Sequence, residues 1–228
     1  MNIIAANTVL THRAATYLGL FIAMLGTPLF LWAFNMDVGA PSSLAPYLLR
    51  EGVILLMLLV LLVVIRKGEQ LPYSSIGWHT DRLGNALLWG LLGVLLCAVA
   101  LAACIVIAQL MHWKIGAQTP ARYEPPLWAM TITVLRAGVT EEVFYRGYAL
   151  ERVQSLTGSK WVAVVATIIP FALFHYRQGP AGILIAGVTG LIVALIYLRR
   201  RSLPAVIFTH FTVDFVPNVL LPALGVLE

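Results

Sequence analysis

Long apolar stretches separated by short polar segments dominate the pattern of this 228-residue chain. Each stretch approaches or exceeds the roughly 20 residues that an α-helix needs to cross the hydrocarbon core of a bilayer. None alternates apolar and polar residues as a half-buried strand does, so strands are not expected. The pattern predicts an all-α, polytopic membrane bundle of about seven transmembrane helices (roughly six to eight), at residues 15–36, 44–65, 83–111, 127–150, 160–177, 181–198 and 203–225.

Composition supports the same class of protein. Hydrophobic residues make up 60% of the chain and charged residues 11%, whereas an ordinary soluble domain has roughly 25% charged residues. A soluble domain of this size could not bury so much apolar surface, which excludes ordinary cytosolic, fibrous and disordered proteins. The formal net charge of +5 comes without a basic patch interleaved with exposed aromatics, so nucleic acid is not expected as a partner.

Loop charges predict the orientation, because cytoplasmic loops of membrane proteins are enriched in Lys and Arg. With the N-terminus inside, nine basic residues fall on the inner side: Arg13, Arg66, Lys67, Arg82, Arg152, Lys160 and Arg199 to Arg201. Four fall on the outer side: Arg50, Lys114, Arg122 and Arg177. We therefore expect the N-terminus inside the cell and the C-terminus outside.

Small residues recur along two of the stretches. They lie at every fourth position at Gly182, Ala186, Gly190 and Ala194, and almost as regularly at Ala86, Gly90, Ala98 and Ala102. Such stripes let the backbones of membrane helices approach closely, so we interpret both as packing surfaces. No internal repeat accompanies them, which gives an inverted-repeat transporter no support.

Ionisable groups inside apolar stretches are the informative polar residues, because charge in a bilayer is costly and usually marks a functional site. The fourth stretch contains Glu141, Glu142 and Arg146. On a helix, Glu142 and Arg146 are i, i+4 neighbours that can form an ion pair, while Glu141 points about 100° away. Glu141 is then available as a general base or acid. A buried ion pair that only fixes helix packing is the structural alternative.

Two further polar groups follow later in the chain. His175 lies near the end of the fifth stretch, and His210 and Asp214 share a helix face in the last one. Alone, His175 fits an interfacial residue, and the His210–Asp214 pair fits a lock between helix turns. Together with the glutamates, they place acids and imidazoles on three helices of an otherwise apolar chain. Facing helices build sites in bundle cores in this way.

Such a set of side chains is suited to hydrolysis of an amide bond. A carboxylate near a histidine can take a proton from water and generate a nucleophile, and a second histidine beside an acid can stabilise an oxyanion. Other hydrolase types lack their signatures, because the sequence has no GxSxG, no HExxH and no serine within the predicted spans. A Glu/His/His set can also bind zinc, and this alternative stays open.

Three short motifs resemble those of a known family. The chain carries EExxxR at Glu141–Arg146, FxxxH at Phe171–His175 and HxxxD at His210–Asp214, in this order and on separate predicted helices. This pattern is similar to that of the type II CAAX prenyl endopeptidases and of the related bacterial CPBP, or Abi, intramembrane proteases. The resemblance covers about residues 120–225.

The resemblance implies an intramembrane endopeptidase that depends on a glutamate. Carried onto this chain, it implies that Glu141 and His175 activate the attacking water. It also implies that His210 and Asp214 form the pair that stabilises the oxyanion. The single membrane domain, 1–228, would then divide into N-terminal spans at 1–118 and a CPBP-like catalytic core at 119–228.

The remaining motif positions carry a supporting role and one departure. Glu142 is counted with the catalytic residues, and Arg146 supports the site. The prenyl proteases carry Asn where this chain has Asp214. An ionised Asp cannot donate a hydrogen bond to an oxyanion, so it is expected to orient or charge His210.

The aspartate and the chain length favour the bacterial branch of the family. We therefore expect the cytoplasmic membrane as location, a membrane-associated peptide or protein as substrate, and no prenyl group on it. The resemblance requires no cofactor, although zinc remains an alternative. Two other classes of function also stay open: a non-catalytic immunity or scaffold protein that keeps the fold, and a proton-coupled transporter that uses the buried carboxylates.

The two histidines fit poorly in depth along their predicted helices. His175 lies about 15 residues beyond the inner loop, roughly 22 Å at the rise of an α-helix, whereas His210 lies about seven residues beyond it, roughly 10 Å. For them to meet, the helices must tilt, the inner loop must enter the bundle, or the predicted boundaries must shift. Pro170 and Pro204 offer kinks.

Overall fold

The computed structural model describes residues 3–37, 41–79, 83–116 and 123–226. Through these residues the chain folds into helices and forms no strand, so the predicted all-α class is confirmed. The predicted boundary between residues 118 and 119 lies outside the described residues, as do Arg82 and Arg122, two of the charges that predict the orientation. The division into N-terminal spans and catalytic core therefore stays a prediction.

Ten α-helices follow one another in the described part of the chain. The first five are α1 (Ile3–Phe21), α2 (Thr27–Asp37), α3 (Leu44–Val63), α4 (Leu83–Leu110) and α5 (Leu127–Glu141). The other five are α6 (Glu151–Thr157), α7 (Lys160–Phe174), α8 (Gly179–Arg200), α9 (Leu203–Phe215) and α10 (Leu221–Ala223). Wider π-helical segments lie at Ile22–Gly26, Val64–Gly68, Glu142–Leu150 and Val216–Leu220, and 3₁₀ turns lie at Tyr73–Ile76 and His175–Gln178.

The π-helical segments join or extend α-helices, and the long helical segments that result coincide with the predicted stretches. Five helical stretches among the described residues are long and apolar enough to cross a membrane: His12–Phe34, Leu44–Gly68, Leu83–Leu110, Lys160–Arg200 and Leu203–Ala223. The fourth of these includes the turn between α7 and α8, whereas the segment from α5 to α6 carries too many charges to qualify. The polytopic bundle is confirmed, and the count of seven spans stays a prediction.

Local sequence signals set the helix ends in the C-terminal half of the chain. α6 ends at Gly158, whose φ of 71° is the left-handed conformation that glycine adopts readily. Ser159 then caps α7 by accepting a hydrogen bond from the Val162 N–H. Pro204 lies in the first turn of α9, where a missing N–H costs nothing, so it begins the helix and does not kink it. Pro170 lies inside α7.

The close packing of α4 against α9 depends on small residues. α4 packs along both α8 and α9. A Cβ at Gly93 would overlap the Thr209 side chain, whose Oγ1 donates to the Gly90 carbonyl at 3.0 Å. The predicted α4 stripe is therefore correct near Gly90, but it is wrong at Ala98 and Ala102, which are exposed. The buried face of α4 instead continues through Gly93 and the two cysteines.

The small-residue stripe of α8 is buried at all four positions, as predicted: Gly182, Ala186, Gly190 and Ala194. Three of the four line the cavity described below, and Ala194 packs in the core. The stripe therefore brings the α8 backbone up to a functional surface as well as to its neighbours.

Two buried ion pairs attach the N-terminal half to α5 and α6. Glu51 on α3 accepts from Arg136 on α5, with contacts of 2.6 and 2.7 Å. Glu69 accepts two hydrogen bonds from Arg152 on α6 through its Oε2 atom, at 2.8 and 3.0 Å, and a third from the Tyr148 hydroxyl at 2.9 Å. Neither pair was predicted from the sequence: Glu51 lies within an apolar stretch that was interpreted only by its hydrophobicity, and Glu69 lies between two predicted stretches. Arg136 precedes the motif Glu141–Arg146 and Arg152 follows it. The two ion pairs therefore hold this helical segment in place at both ends.

Candidate active site

A cavity of about 580 Å³ lies in the bundle, between α4, α7, α8, α9 and the junction where α5 meets the π-helical segment Glu142–Leu150. Every site residue predicted from the sequence lines it: Glu141, Glu142, Arg146, His175, His210 and Asp214. Residues that are far apart in the sequence therefore meet around one space. Their roles in catalysis stay predictions.

Glu142 is the most enclosed acid of this set. It is 0% exposed, and its Oε1 atom accepts from Nη1 of Arg146 at 2.9 Å and lies 2.7 Å from Nδ1 of His210. The Glu142–Arg146 pair agrees with the i, i+4 spacing. The contact with His210 joins residues 68 positions apart, which no local spacing could predict. The second oxygen, Oε2, has no hydrogen-bond partner among the described residues.

The π-helical segment begins at Glu142, and all nine of its residues are buried. Such segments close their turns with i→i+5 hydrogen bonds, and they occur frequently at functional sites. Glu141 is the last residue of α5 before this change. Its side chain is 19% exposed and lines the cavity. The two adjacent carboxylates therefore have different environments, as the sequence analysis expected.

Arg146 is held on three sides. It donates to Glu142, and its Nη2 donates to the Gly190 carbonyl at 3.0 Å. Its guanidinium carbon lies 4.3 Å from the centre of the Phe171 ring, a distance at which a cation is attracted to the ring face. A Cβ at Gly190 would lie 3.0 Å from Nη2 of Arg146 and from the Phe171 ring. Glycine at this position therefore makes room for the arginine.

His210 lies among three carboxylates. Nδ1 faces Glu142, and Nε2 lies 3.3 Å from Oδ2 of Asp214 and 4.0 Å from Oε2 of Glu141. Because a carboxylate only accepts hydrogen bonds, these contacts require the ring to donate, and it donates from both nitrogens when it is protonated. The predicted His210–Asp214 pair is present, and Glu142 adds a second acidic partner that the sequence analysis had assigned to Arg146 alone.

His175 reaches the same cavity from the 3₁₀ turn that follows α7. Its Nδ1 atom lies 2.9 Å from the Phe171 carbonyl oxygen, and its ring packs against those of Phe171 and Phe174. A carbonyl oxygen accepts, so Nδ1 carries the proton and Nε2 is left with a lone pair in the neutral ring. His175 and His210 both line the cavity, although their predicted helices placed them poorly for a meeting.

Several residues that line the cavity were not among those predicted from the sequence. Cys97 and Leu101 form a wall from α4, and Gln178, Thr189 and Asn218 add polar side chains. Thr189 precedes Gly190 of the α8 stripe, so the stripe could have pointed to it. Nothing in the local sequence marks Cys97, because only packing brings α4 to the site.

A Glu/His/His set can bind zinc, and the arrangement of these side chains bears on that alternative. In the described part of the chain, no three His, Cys, Asp or Glu side chains are arranged to hold a metal ion. Oε1 of Glu142 is engaged by Arg146, and a cation in that place competes with a metal. The zinc alternative is tested by the chelator experiment described in the Discussion.

The fold and the cavity define an all-α polytopic membrane protein with acids and imidazoles lining a cavity in its bundle. Residues 123–216 match the family model described as "Type II CAAX prenyl endopeptidase Rce1-like". The match includes all three motifs and confirms the resemblance to this family of endopeptidases; it indicates a peptidase embedded in a membrane. Comparisons with curated proteins and with solved structures found no match.

Proposed function

We propose that this protein is an intramembrane endopeptidase that hydrolyses a peptide bond in a membrane-associated peptide or protein, with water activated by Glu141 and His175. One observation carries the proposal: Glu141, His175 and His210 line a single cavity. The family match supports it. No specific observation favours the non-catalytic alternative or the transporter.

The environments of the two glutamates support Glu141 as the general base. Glu142 is fully buried, and its Oε1 is shared by Arg146 and His210, so its charge serves to hold these two groups. Glu141 is exposed to the cavity, and its nearest charged contact is His210 at 4.0 Å. It can therefore accept a proton from a water molecule in the cavity.

His175 complements Glu141 in holding the water. The hydrogen bond from Nδ1 to the Phe171 carbonyl fixes the ring and leaves the lone pair of Nε2 available. The ring packing with Phe171 and Phe174 restricts its orientation further. A water held between a carboxylate and such an imidazole directs its two hydrogens at these acceptors. An oxygen lone pair then points away from both of them and is free to attack a carbonyl carbon.

The reaction then proceeds in two steps. The water oxygen bonds to the carbonyl carbon of the scissile amide while Glu141 takes a proton, and the carbonyl oxygen becomes an oxyanion. The carbon–nitrogen bond then breaks as Glu141 returns the proton to the leaving nitrogen, giving a carboxylic acid and an amine. His210, protonated between its acidic neighbours, stabilises the oxyanion electrostatically. Asp214 favours that protonated ring and orients it.

The size of the cavity limits the substrate. A volume of about 580 Å³ lies within the range of pockets for small ligands, so it accommodates a short extended segment and no folded domain. Asp214 in place of the asparagine of the prenyl proteases favours the bacterial branch, so we propose a substrate without a prenyl group, cleaved in the cytoplasmic membrane.

Peptide mass spectrometry of membranes tests the proposal. Membranes from cells that produce the wild type, Glu141→Gln or Glu124→Gln are compared; Glu124 is an exposed acid outside the cavity. We expect peptide fragments with the wild type and the Glu124→Gln control that are missing with Glu141→Gln. A synthetic peptide spanning the identified bond then gives the rate of each purified, folded variant.

The expected loss for Glu141→Gln is about 10²- to 10⁴-fold in kcat, the usual contribution of general base catalysis. His175→Ala is expected to lower kcat as well, while its elution volume in size-exclusion chromatography stays that of the wild type. Cleavage at the wild-type rate by purified Glu141→Gln would refute the proposed mechanism.

A further inference from the structure

A second cavity, of about 380 Å³, lies at the other end of the bundle from His175. It is lined by His79, Asn85, Ala86, Trp89, Arg199, Arg200, Arg201 and Ser202. Along α4, Trp89 and Cys97 are eight residues apart, about 12 Å at the rise of an α-helix. The two cavities therefore share α4 without sharing a lining residue.

The lining of this second cavity is made of hydrogen-bond donors and positive charge. Three arginines line it, and no carboxylate does. Arg201 is paired with Glu151 at 2.8 Å. Among the described residues, Arg199 and Arg200 form no ion pair, so about two positive charges face the cavity without a counterion. Asn85 and Ser202 add neutral polar groups.

The framework around the charges is fixed. The guanidinium carbon of Arg200 lies 4.6 Å from the centre of the Trp89 ring, a cation–π contact between α8 and α4. Ser202 precedes α9, and its side chain makes no capping hydrogen bond. α4 begins at Leu83, about four turns before Cys97 in the lining of the first cavity. The starts of two helices thus lie beside the cavity, and their partial positive charges favour an anion.

Two simpler explanations of the arginines leave part of this arrangement unexplained. Arginines in the last turn of α8 compensate its dipole, and basic loops set membrane orientation. Neither explanation requires a cavity, and neither requires Asn85 and Trp89 from a different helix to complete it. The arrangement is typical of a basic pocket between membrane helices that holds a lipid headgroup.

The surface next to the cavity indicates a lipid as the source of the anion. Along α4, Leu88 and Leu92 follow Asn85 on the same face at helical spacing, and both are exposed. Acyl chains can lie along this apolar surface while the headgroup occupies the donors. Tryptophan is enriched where membranes meet water, and Trp89 lines this cavity. A free phosphate would gain nothing from the leucines.

We propose that the cavity formed by Asn85, Trp89, Arg199 and Arg200 binds the phosphate of an anionic phospholipid. The guanidinium groups donate to phosphate oxygens, which suits arginine better than lysine. The bound lipid joins α4 to the turn between α8 and α9. The proposal is independent of the catalytic mechanism, because none of these residues lines the first cavity.

Native mass spectrometry of the full-length protein in neutral detergent tests the proposal. Dioleoylphosphatidylglycerol is titrated as the anionic probe, dioleoylphosphatidylcholine as the zwitterionic one, and inorganic phosphate as the soluble one. We expect one tightly bound phosphatidylglycerol. Arg199→Gln is expected to weaken it about fivefold and Arg199→Gln with Arg200→Gln about 25-fold, from the usual contribution of each basic residue near a lipid surface.

Matched variants separate the cavity from the general positive field. Lys67→Gln removes one exposed positive charge that does not line the cavity, and we expect unchanged affinity. Trp89→Leu keeps the net charge and is expected to weaken binding by releasing Arg200, as is Arg199→Lys by losing the guanidinium geometry. Equal weakening by Lys67→Gln and Arg199→Gln would overturn the proposal. So would equal affinity for the two phospholipids, or saturation by inorganic phosphate with no preference for phosphatidylglycerol.

Discussion

Replacing Glu142 with glutamine removes the negative charge beside Arg146 and keeps the shape of the side chain. Arg146 is 2% exposed, so it cannot turn to water. Removing one partner of a buried ion pair costs about 3–5 kcal/mol of folding free energy. Arg146 retains the Gly190 carbonyl at 3.0 Å and the Phe171 ring at 4.3 Å, so we expect a loss near the lower limit, about 3 kcal/mol.

Glu141→Gln is the matched control for this substitution. The neighbouring carboxylate is partly exposed, and its contact with His210 is 4.0 Å long. Its neutralisation is expected to cost about 1 kcal/mol or less. The two variants thus differ by one position and have opposite expected profiles: Glu142→Gln loses stability, and Glu141→Gln loses catalysis while it remains stable.

A double-mutant cycle shows whether the stability loss arises from the unpaired arginine. Glu142→Leu combined with Arg146→Met replaces both charges with apolar side chains, an exchange that is often neutral in protein interiors. The stability loss of the double variant is expected to be about 2 kcal/mol smaller than the summed losses of Glu142→Leu and Arg146→Met. The free energy of unfolding is measured by titrating purified protein in mild detergent with dodecyl sulfate and following circular dichroism. Additive effects, or a Glu142→Gln variant as stable as the wild type, would refute the reasoning.

Four further outcomes are expected. Gly190→Ala pushes on the guanidinium of Arg146 at 3.0 Å and is expected to lower stability by about 1–3 kcal/mol in the same titration. Asp214→Asn is expected to lower kcat at least about tenfold with little change in KM, because an amide favours protonated His210 less than a carboxylate does; equal kcat would contradict the assigned role. Glu69→Gln is expected to cost about 3 kcal/mol, because its buried arginine partner is left unpaired, while folded protein keeps its rate. A zinc chelator is expected to leave peptide cleavage unchanged, and restoration of lost activity by Zn²⁺ would contradict a metal-free reaction.

The fold class and the motif positions were predictable from local pattern. Hydrophobic runs that exceed bilayer thickness predict helices directly, and i, i+4 spacing predicts both the Glu142–Arg146 and the His210–Asp214 pairs. The different environments of the adjacent glutamates also follow from helical geometry, since neighbouring residues point about 100° apart. These features depend on residues within one or two turns of each other.

Contacts between helices that are distant in the sequence could not be predicted from local pattern. The 2.7 Å contact of His210 with Glu142 depends on how α9 packs on the π-helical segment, and neither the packing nor the segment has a signal in the sequence. Glu51 lies in the second apolar stretch, and with Arg136 in the fourth it offered a pair of opposite charges that could have been matched. The identity of the partner, however, follows only from the three-dimensional arrangement.

The wall that α4 contributes has a consequence for the smallest working piece of this protein. The family match begins at residue 123, after α4 has ended. A fragment cut to the matched region would keep the acids and the imidazoles but would leave one side of their pocket open to acyl chains. Lipid would take the place of Cys97 and Leu101, and of Gly90 and Gly93, against which α9 packs. Water would then no longer be confined to the cavity. We therefore expect a shortened version of the protein to require α4, even though none of the three motifs lies on it.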